Sequence, residues 1–391
     1  MKLNAKQLNK TLNYTIFIAA FFVQIYLDGN FVAHGQEPMA MKVLRYMLIA
    51  VGIGWGILQL SSKKRFVFLR ELRNMLVAIF TFLIVSLILI LFRDGDLYFC
   101  LELTLRYLMS LLYAFVLINL MEFDDIYRLM ACALLLSIFG WFLENGNIIF
   151  NFSYYSRISF AGSYSPFESS YFAAPSINCC AFFLYYRKNK WLSLLSFLFV
   201  LLTFKRPQII FAIVFFLLPF FANPNKPVKK SIHFAMCIIV IICTVFWYWL
   251  MMPEYEWLIE AVTGQGTHAL TSGRSIVLRN VLDAGYISRG LGSTNLLVGR
   301  GIEMDLVAFM MEMSFPVMAL FVFCFASVSG RKLYPVIVML YRLFSAMTGS
   351  GLYNVMGVLL LYLFFGSVNY LNVDALQKTE RNRKWIKIKF R

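Results

Sequence analysis

The most regular feature of the sequence is a series of apolar runs separated by short polar segments. A helix that crosses a bilayer needs about 20 mostly apolar residues. Twelve runs approach or reach this length: 12–27, 41–60, 75–92, 97–120, 129–145, 170–186, 191–204, 207–222, 231–252, 306–328, 333–347 and 352–371. The pattern predicts an all-α polytopic membrane protein of about twelve transmembrane helices, with residues 1–391 forming a single membrane domain.

Composition supports this prediction. Apolar residues make up 60% of the chain, charged residues 14%, and the mean hydropathy is +0.71. Ordinary soluble domains carry about 25% charged residues. A water-soluble surface cannot be built from so few polar side chains, so the composition excludes an ordinary soluble enzyme.

The net charge of +16 is distributed in short clusters between the apolar runs. Of the 36 Lys and Arg residues, 24 lie in the terminal segments and in every second segment between the runs, which twelve spans would place on the same side of the membrane. These segments are 1–11, 61–74, 121–128, 187–190, 222–230, 329–332 and 372–391. The positive-inside rule therefore predicts that both termini are cytoplasmic, and the basic tail 372–391 is expected to lie along anionic headgroups. This distribution also argues against nucleic acid as a partner.

No cofactor or metal is predicted from the sequence. The seven cysteines lie in or beside apolar runs, where small packing residues are expected. The sequence contains no Walker loop, dinucleotide fingerprint, HExxH motif or GxSxG motif.

Two long segments are predicted on the opposite, external face: a smaller loop over 145–170 and a large loop over 253–305. The large loop carries four arginines against the usual charge bias: Arg274, Arg279, Arg289 and Arg300. Because a guanidinium grips phosphate with two parallel donors, the cluster favours an anionic substrate at the membrane surface. The alternative is that these arginines pair with acidic residues of the same loop or with lipid headgroups. The run Gly290-Leu-Gly-Ser can cradle a phosphate through its N–H groups or form a simple turn.

Further charged residues interrupt the apolar pattern. Lys205 and Arg206 occupy a tight external turn, as a binding pair or as side chains that reach the interface. Arg106 has Glu102 one turn earlier for an intrahelical pair, whereas Arg342 has no such neighbour.

Three stretches carry a resemblance to a known family. Thr271-Ser-Gly-Arg274 followed by Gly290-Leu-Gly292 is similar to a Gly-Arg…Gly-x-Gly pattern, and Leu202-Thr-Phe-Lys-Arg206 to a Thr-x-Ser-Arg segment. The third stretch, from Glu303 to Ser314, resembles a His-Asn-x-x-Leu…Glu-x-Gly stretch, but an acidic residue stands near the usual histidine and Ser314 replaces glycine. Together they resemble the O-antigen polymerase and ligase superfamily, especially the Wzy-type polysaccharide polymerases, over about residues 145–325.

The resemblance implies a GT-C-like fold and a glycosyltransferase at the periplasmic face of the bacterial inner membrane. The enzyme would join repeat units carried on undecaprenyl diphosphate, and a chain-length regulator protein is a further partner that it implies. The expected diphosphate contacts are Arg274, Arg206, Arg289 and Arg300, and the further substrate-binding candidates are Arg157, Lys205 and Arg279. The first choice for the general base is Glu303, the second Asp305 and the third His268.

Two other functions stay open at this point. An O-antigen ligase uses the same donor but transfers the glycan to the lipid A core. A flippase or transporter of lipid-linked oligosaccharides also has about twelve spans and intramembrane charges. Aromatic residues of the smaller loop, such as Tyr154, Tyr155 and Tyr164, are expected either to stack on sugars or to anchor the loop at the interface.

Overall fold

The computed structural model describes residues 5–34, 37–63, 65–158, 165–299, 301–352 and 354–371, and this part of the chain is helical without a β-strand. The helices are α1 Ala5–His34, α2 Met39–Leu60, α3 Leu69–Arg93, α4 Leu97–Leu120, α5 Phe123–Ile149, α6 Ser170–Tyr186, α7 Lys190–Leu202, α8 Arg206–Phe221, α9 Lys230–Leu250, α10 Glu256–Thr263, α11 Thr267–Leu270, α12 Arg274–Asp283, α13 Ser293–Val298, α14 Asp305–Glu312, α15 Phe315–Ser327, α16 Leu333–Thr348 and α17 Val355–Gly366. Two 3-10 turns, Phe152–Arg157 and Pro253–Tyr255, and a π-helical turn, Ser367–Leu371, complete the structure.

Among the described residues, six helices are long and apolar enough to cross a membrane: most of α1 (Gln7–Asn30), then α2, α3, α4, α5 and α9. Five shorter apolar helices accompany them: α7, α8, α15, α16 and α17 with its π-helical turn. With α6, which covers the run 170–186, each of the twelve predicted apolar runs coincides with one helix or, in one case, with two. The prediction of an all-α, multi-pass membrane protein is confirmed, and the number of twelve spans stays a prediction.

The outward faces of the long helices are apolar. Large side chains such as Leu91 and Phe92 of α3 and Ile239 and Ile242 of α9 are exposed. A continuous apolar surface of this kind is unstable in water and is solvated by lipid in a membrane.

The centre of the bundle is α17, whose residues are all buried. It packs mainly against α4 and α6. Polar side chains of these neighbours tie its first turns in place: Ser110 donates to the Val355 carbonyl at 2.9 Å and Asn178 to the Gly357 carbonyl at 2.7 Å. Hydrogen bonds between helices help to hold such packing where no water competes.

Two glycines allow α4 to approach its neighbours closely. A Cβ on Gly56 of α2 would lie 2.0 Å from Val116, and a Cβ on Gly366 of α17 would lie 2.1 Å from Ile118. Glycine lets membrane helices approach to backbone contact. At both positions a larger residue requires the helices to move apart.

The predicted span 306–328 is divided into two helices, which corrects the expectation of one continuous segment. The helix α14 ends at Glu312, Met313 and Ser314 leave helical geometry, and α15 begins just before Pro316. Proline has no amide hydrogen and its ring clashes with the preceding turn, so it starts helices and interrupts their interiors.

Charged contacts mark two ends of the bundle. At the end named here the loop end, Arg93 donates to the Ser288 carbonyl at 3.0 Å and Lys205 pairs with Glu168. At the end named the basic end, Lys188 pairs with Asp124 at 2.6 Å and Lys332 donates to the Val368 carbonyl at 2.6 Å. The tail 372–391 lies outside the described residues.

Candidate functional site

The large loop folds onto the loop end as a set of short helices, α10 to α13, that leads into α14. It has a small apolar core of its own, formed by Met251, Leu278, Val281, Ile302, Met304, Val307 and Ala308. Arg279 joins this unit to α9 and to the first loop helix: it donates to the Met251 carbonyl at 3.0 Å and to Glu256 at 3.2 Å. The loop is therefore a packed structure that can hold side chains at fixed positions.

The glycine run of the loop wraps around a buried carboxylate. Glu312, at the end of α14, accepts hydrogen bonds from the Gly292 amide at 2.7 Å and from the amide and hydroxyl of Thr294 at 3.2 and 2.5 Å. Its backbone carbonyl accepts from the Gly290 amide at 3.0 Å. Helix N-termini and glycine-rich turns bind anions in this way. In this protein the turn binds the side chain of Glu312, so the interpretation of the run as a turn that holds a phosphate does not fit its contacts.

The close fit explains why both residues of this turn are glycines. Gly290 and Gly292 have φ of +97° and +83°. A Cβ on Gly292 would lie 2.2 Å from a ring carbon of Phe99, and one on Gly290 would lie 3.1 Å from Ser86. The turn is also anchored by the Leu291 amide, which donates to the Ser86 hydroxyl at 2.9 Å.

The first two candidates of the sequence lie side by side. Arg274 begins α12, after Gly273 with φ of +83°, and its Nε lies 3.6 Å from a carboxylate oxygen of Glu303. The Arg274 side chain is 24% exposed and that of Glu303 37%, so both groups are accessible from the loop end. A second nitrogen of Arg274 donates to the Thr271 carbonyl at 3.2 Å. The structure thus joins a guanidinium and a carboxylate that are 29 positions apart in the sequence.

Asp305 has a different environment, because it is fully buried at the start of α14. Its Oδ2 accepts from the amides of Gly351 and Leu352 at 2.8 and 2.9 Å, in the segment between α16 and α17. Burial raises the pKa of Asp305 to about 7, although these two donors and the nearby Arg342 and Arg274 oppose the rise.

Arg342 holds the same segment from the other side. It is buried in α16 and donates to the Gly351 carbonyl at 2.6 Å. Asp305 therefore binds the amide and Arg342 the carbonyl oxygen of one residue, Gly351. This pairing orders the segment that leads into the central helix α17, and it gives Arg342 a partner outside its own helix.

The remaining candidates are more dispersed. His268 is exposed, and its ring lies 3.6 Å from the Cβ position of Gly273, next to Arg274. Arg289 is exposed in the segment before the glycine turn. Arg157 is exposed with its guanidinium 4.9 Å from the ring centre of Tyr154, so it stays within the smaller loop.

At the tight turn, Lys205 pairs with Glu168 and the half-buried Arg206 is the first residue of α8. The turn therefore joins the smaller loop to the start of α8. Arg300 and Tyr164 lie outside the described residues.

Other acidic residues near this site were not selected from the sequence. Tyr171, near the start of α6, interacts electrostatically with Asp28, Glu37, Glu144 and Glu303. The Tyr171 carbonyl accepts from Asn354, the residue that caps α17, at 3.4 Å. The sequence signal for these acidic residues was their position near the external ends of predicted spans. The fold and the composition define the chain as a multi-pass α-helical membrane protein with a charged centre at the loop end.

No family model matches this sequence, and comparisons with curated proteins and with solved structures likewise find no match.

Proposed function

We propose that this chain is a membrane glycosyltransferase of the polysaccharide-polymerase type. It joins repeat units carried on undecaprenyl diphosphate at the periplasmic face of the bacterial inner membrane, with about twelve spans and cytoplasmic termini. Support comes from the resemblance of the loop motifs, the charge alternation along the sequence, and the charged centre at the loop end.

The observation that carries the proposal is the ion pair between Arg274 and Glu303, with Nε 3.6 Å from Oε2. Glycan transfer from a lipid diphosphate needs a cation for the leaving group and a base for the acceptor hydroxyl. One accessible guanidinium beside one accessible carboxylate meets both needs without a metal.

The acceptor hydroxyl oxygen forms a bond to the anomeric carbon of the donor sugar, and the bond from that carbon to the diphosphate oxygen breaks. The hydroxyl proton passes to Glu303. The bonding electrons leave with undecaprenyl diphosphate, whose developing charge Arg274 stabilises, with Arg206, Arg289 and Arg300 as further candidates for diphosphate contacts.

Glu303 remains the preferred candidate for the general base. Glu303 is accessible, whereas one oxygen of Asp305 is occupied by two backbone amides and the other is buried. Asp305 is better suited to positioning the segment before α17. His268 is exposed close to Arg274 and remains the third candidate.

A second function is favoured by a separate observation. Charged residues also lie inside the bundle, on α2 and α4, where Lys42 and Arg106 both contact Glu102. Intramembrane charges mark transport pathways in many proteins. A flippase for lipid-linked oligosaccharides would use them, and the experiment below separates the two functions.

The experiment is deletion of the gene in its host, followed by electrophoresis of the surface polysaccharide. Complementation uses wild type, Arg274→Ala, Arg274→Lys and Glu303→Gln, with membrane abundance measured for each. Glu260→Gln is the matched control, since Glu260 is an exposed carboxylate of the same loop. We expect the deletion to leave single repeat units on a normal anchor.

Glu303→Gln should lower polymer formation by roughly 10²-fold or more, because the amide cannot accept the proton. Arg274→Ala should lower it by a similar factor, and Arg274→Lys should restore part of it. A polymer ladder that persists without attachment to lipid A would identify a ligase. Loss of all repeat units from the periplasm would identify a flippase, and either result would reject the polymerase.

A further inference from the structure

A second polar group lies inside the bundle on α1 and α2, and none of the loop motifs includes it. Arg45 of α2 is 2% exposed. Its Nη1 donates to Gln24 of α1 at 2.8 Å, and Gln24 in turn donates to Asp28 at 2.7 Å. Gln24 and Asp28 are buried as well. The three side chains form a chain of hydrogen bonds between two helices.

This chain uses only one edge of the guanidinium. Within the described part of the protein, Nε and Nη2 of Arg45 are buried and have no hydrogen-bond partner. Nε and Nη2 carry the two parallel N–H bonds of the guanidinium's side edge, which binds both oxygens of a carboxylate or phosphate. Buried charged donors are rarely left unsatisfied in native proteins. The unused edge can therefore bind an oxyanion.

Two further cations belong to two neighbouring helices, Lys42 on α2 and Arg106 on α4. Lys42 is three residues before Arg45 and so shares its helix face. Lys42 lies 2.6 Å and Arg106 of α4 lies 2.5 Å from the same oxygen of Glu102. Tyr46 connects the groups, because its ring centre is 4.6 Å from the Arg45 guanidinium and it interacts electrostatically with Arg106. Lys42 and Arg106 thus share one carboxylate, and Lys42 lies on the same helix face as Arg45.

The position of the group suits a ligand that enters from the loop end. Arg45 is the seventh residue of α2, or about 9 Å along the helix from its start. Asp28 and Glu303 both interact electrostatically with Tyr171, so this group and the centre of Arg274 and Glu303 lie at the same end of the bundle, near the start of α6. A buried guanidinium at this depth is costly in a bilayer unless an anion lies near it.

We propose that Arg45, with Lys42 and Arg106, binds a lipid-borne phosphate within the loop end of the bundle. Under the proposed function, on which this part of the inference rests, the phosphate belongs to the polyprenyl diphosphate of the donor or acceptor. A phospholipid headgroup presents the same chemistry, and the experiment distinguishes the two sources.

The test measures binding to the purified full-length protein in a neutral detergent. The probes are farnesyl diphosphate, phosphatidylglycerol and phosphatidylcholine, and the readouts are a dissociation constant and the shift of the melting temperature. The variants are Arg45→Lys, which keeps the charge but loses the parallel donors, and Arg45→Met, which loses both. Arg70→Lys is the control, since Arg70 is an exposed arginine of α3 at the basic end.

We expect farnesyl diphosphate to bind the wild type and the control equally. Arg45→Lys should bind at least about tenfold more weakly, and Arg45→Met should lose most of the shift of the melting temperature, with only binding at the Arg274 centre remaining. If only phosphatidylglycerol gives a shift that depends on Arg45, the phosphate site stands with a headgroup as its ligand. The proposal is overturned if farnesyl diphosphate and phosphatidylglycerol both fail to bind, or if they bind the Arg45 variants as tightly as the wild type.

Failure of this site and failure of the proposed function give different results. Binding needs no turnover, so an Arg45-dependent constant in a protein that fails the polymer assay would keep the phosphate site and reject the polymerase. A stable Arg45→Met variant that binds farnesyl diphosphate normally and forms full-length polymer would reject the phosphate site and keep the polymerase. If Arg45→Met is not monodisperse in detergent, Arg45→Lys decides the outcome.

Discussion

The contacts of Glu312 allow a quantitative prediction about the large loop. Its carboxylate accepts from the amides of Gly292 and Thr294 and from the Thr294 hydroxyl, all buried. Glu312→Ala leaves both amides without an acceptor, whereas the hydroxyl can rotate. Each buried unsatisfied amide costs about 1–3 kcal/mol, so the turn should lose about 2–6 kcal/mol. Glu312→Gln keeps one acceptor oxygen and turns an NH₂ group toward one of the donors, so the loss should be about 1–3 kcal/mol.

Hydrogen exchange detected by mass spectrometry measures this loss directly. Because about 1.4 kcal/mol corresponds to a factor of ten, the peptide that contains residues 291–298 should exchange about 30-fold faster or more in Glu312→Ala. In Glu312→Gln the factor should be about 5 to 150. Peptides from α5, which is far from Glu312 in the sequence, should exchange at unchanged rates in both variants.

The matched control is Glu260→Gln, an exposed carboxylate of the same loop whose substitution should change exchange by less than about threefold. Unaltered exchange of residues 291–298 in Glu312→Ala would refute the reasoning, because it would mean that the carboxylate does not hold the glycine turn. Equal effects of the alanine and glutamine variants would contradict the count of unsatisfied donors.

Two further predictions concern stability. Burial raises the folded-state pKa of Asp305 from 3.8 to about 7, so its native form retains a proton that the unfolded chain has lost between those values. The free energy of unfolding of the wild type, relative to that of Asp305→Asn, should therefore fall by up to about 3 kcal/mol from pH 5 to pH 8. Melting in detergent at each pH measures this difference. A difference between the two proteins that does not change with pH would contradict a buried carboxyl group that titrates in this range. Gly366→Ala should lower the melting temperature, because its Cβ would lie 2.1 Å from Ile118. Gly146→Ala is the control, since a Cβ there would meet no atom within 4 Å. Equal melting temperatures of the two variants would contradict close packing of α4 on α17.

The sequence predicted the helical architecture because lipid leaves little choice. In a bilayer the backbone must satisfy its own hydrogen bonds, so each long apolar run forms a helix. The division of the run 306–328 was missed because hydropathy ignores local geometry, although Pro316 was a visible signal. Whether more than six helices span the membrane depends on whether the shorter apolar helices are surrounded by lipid or by other helices. The length of an apolar run alone does not determine this.

The sequence predicted a site residue correctly only where a charged side chain also lay in the predicted external loop. Arg274 and Glu303 were selected because both lie in the external loop, and the structure places them in contact. Arg342 and Glu312 could not be interpreted in the same way, since their partners are backbone groups of Gly351 and Gly292. Backbone donors and acceptors are present at almost every residue, so a sequence cannot show which of them a side chain will meet. Arg45 was visible as a charge in an apolar run, but its unused guanidinium edge appears only in three dimensions.

The central position of α17 has a consequence for how the protein is made. Among the described helices, α17 comes last along the chain, yet it is enclosed by α4 and α6, which are synthesised much earlier. The ribosome delivers helices in order, so these earlier helices enter the membrane before the helix that packs between them. Their final packing therefore begins only after α17 has been translated, and a chain truncated before α17 would form a bundle without its centre.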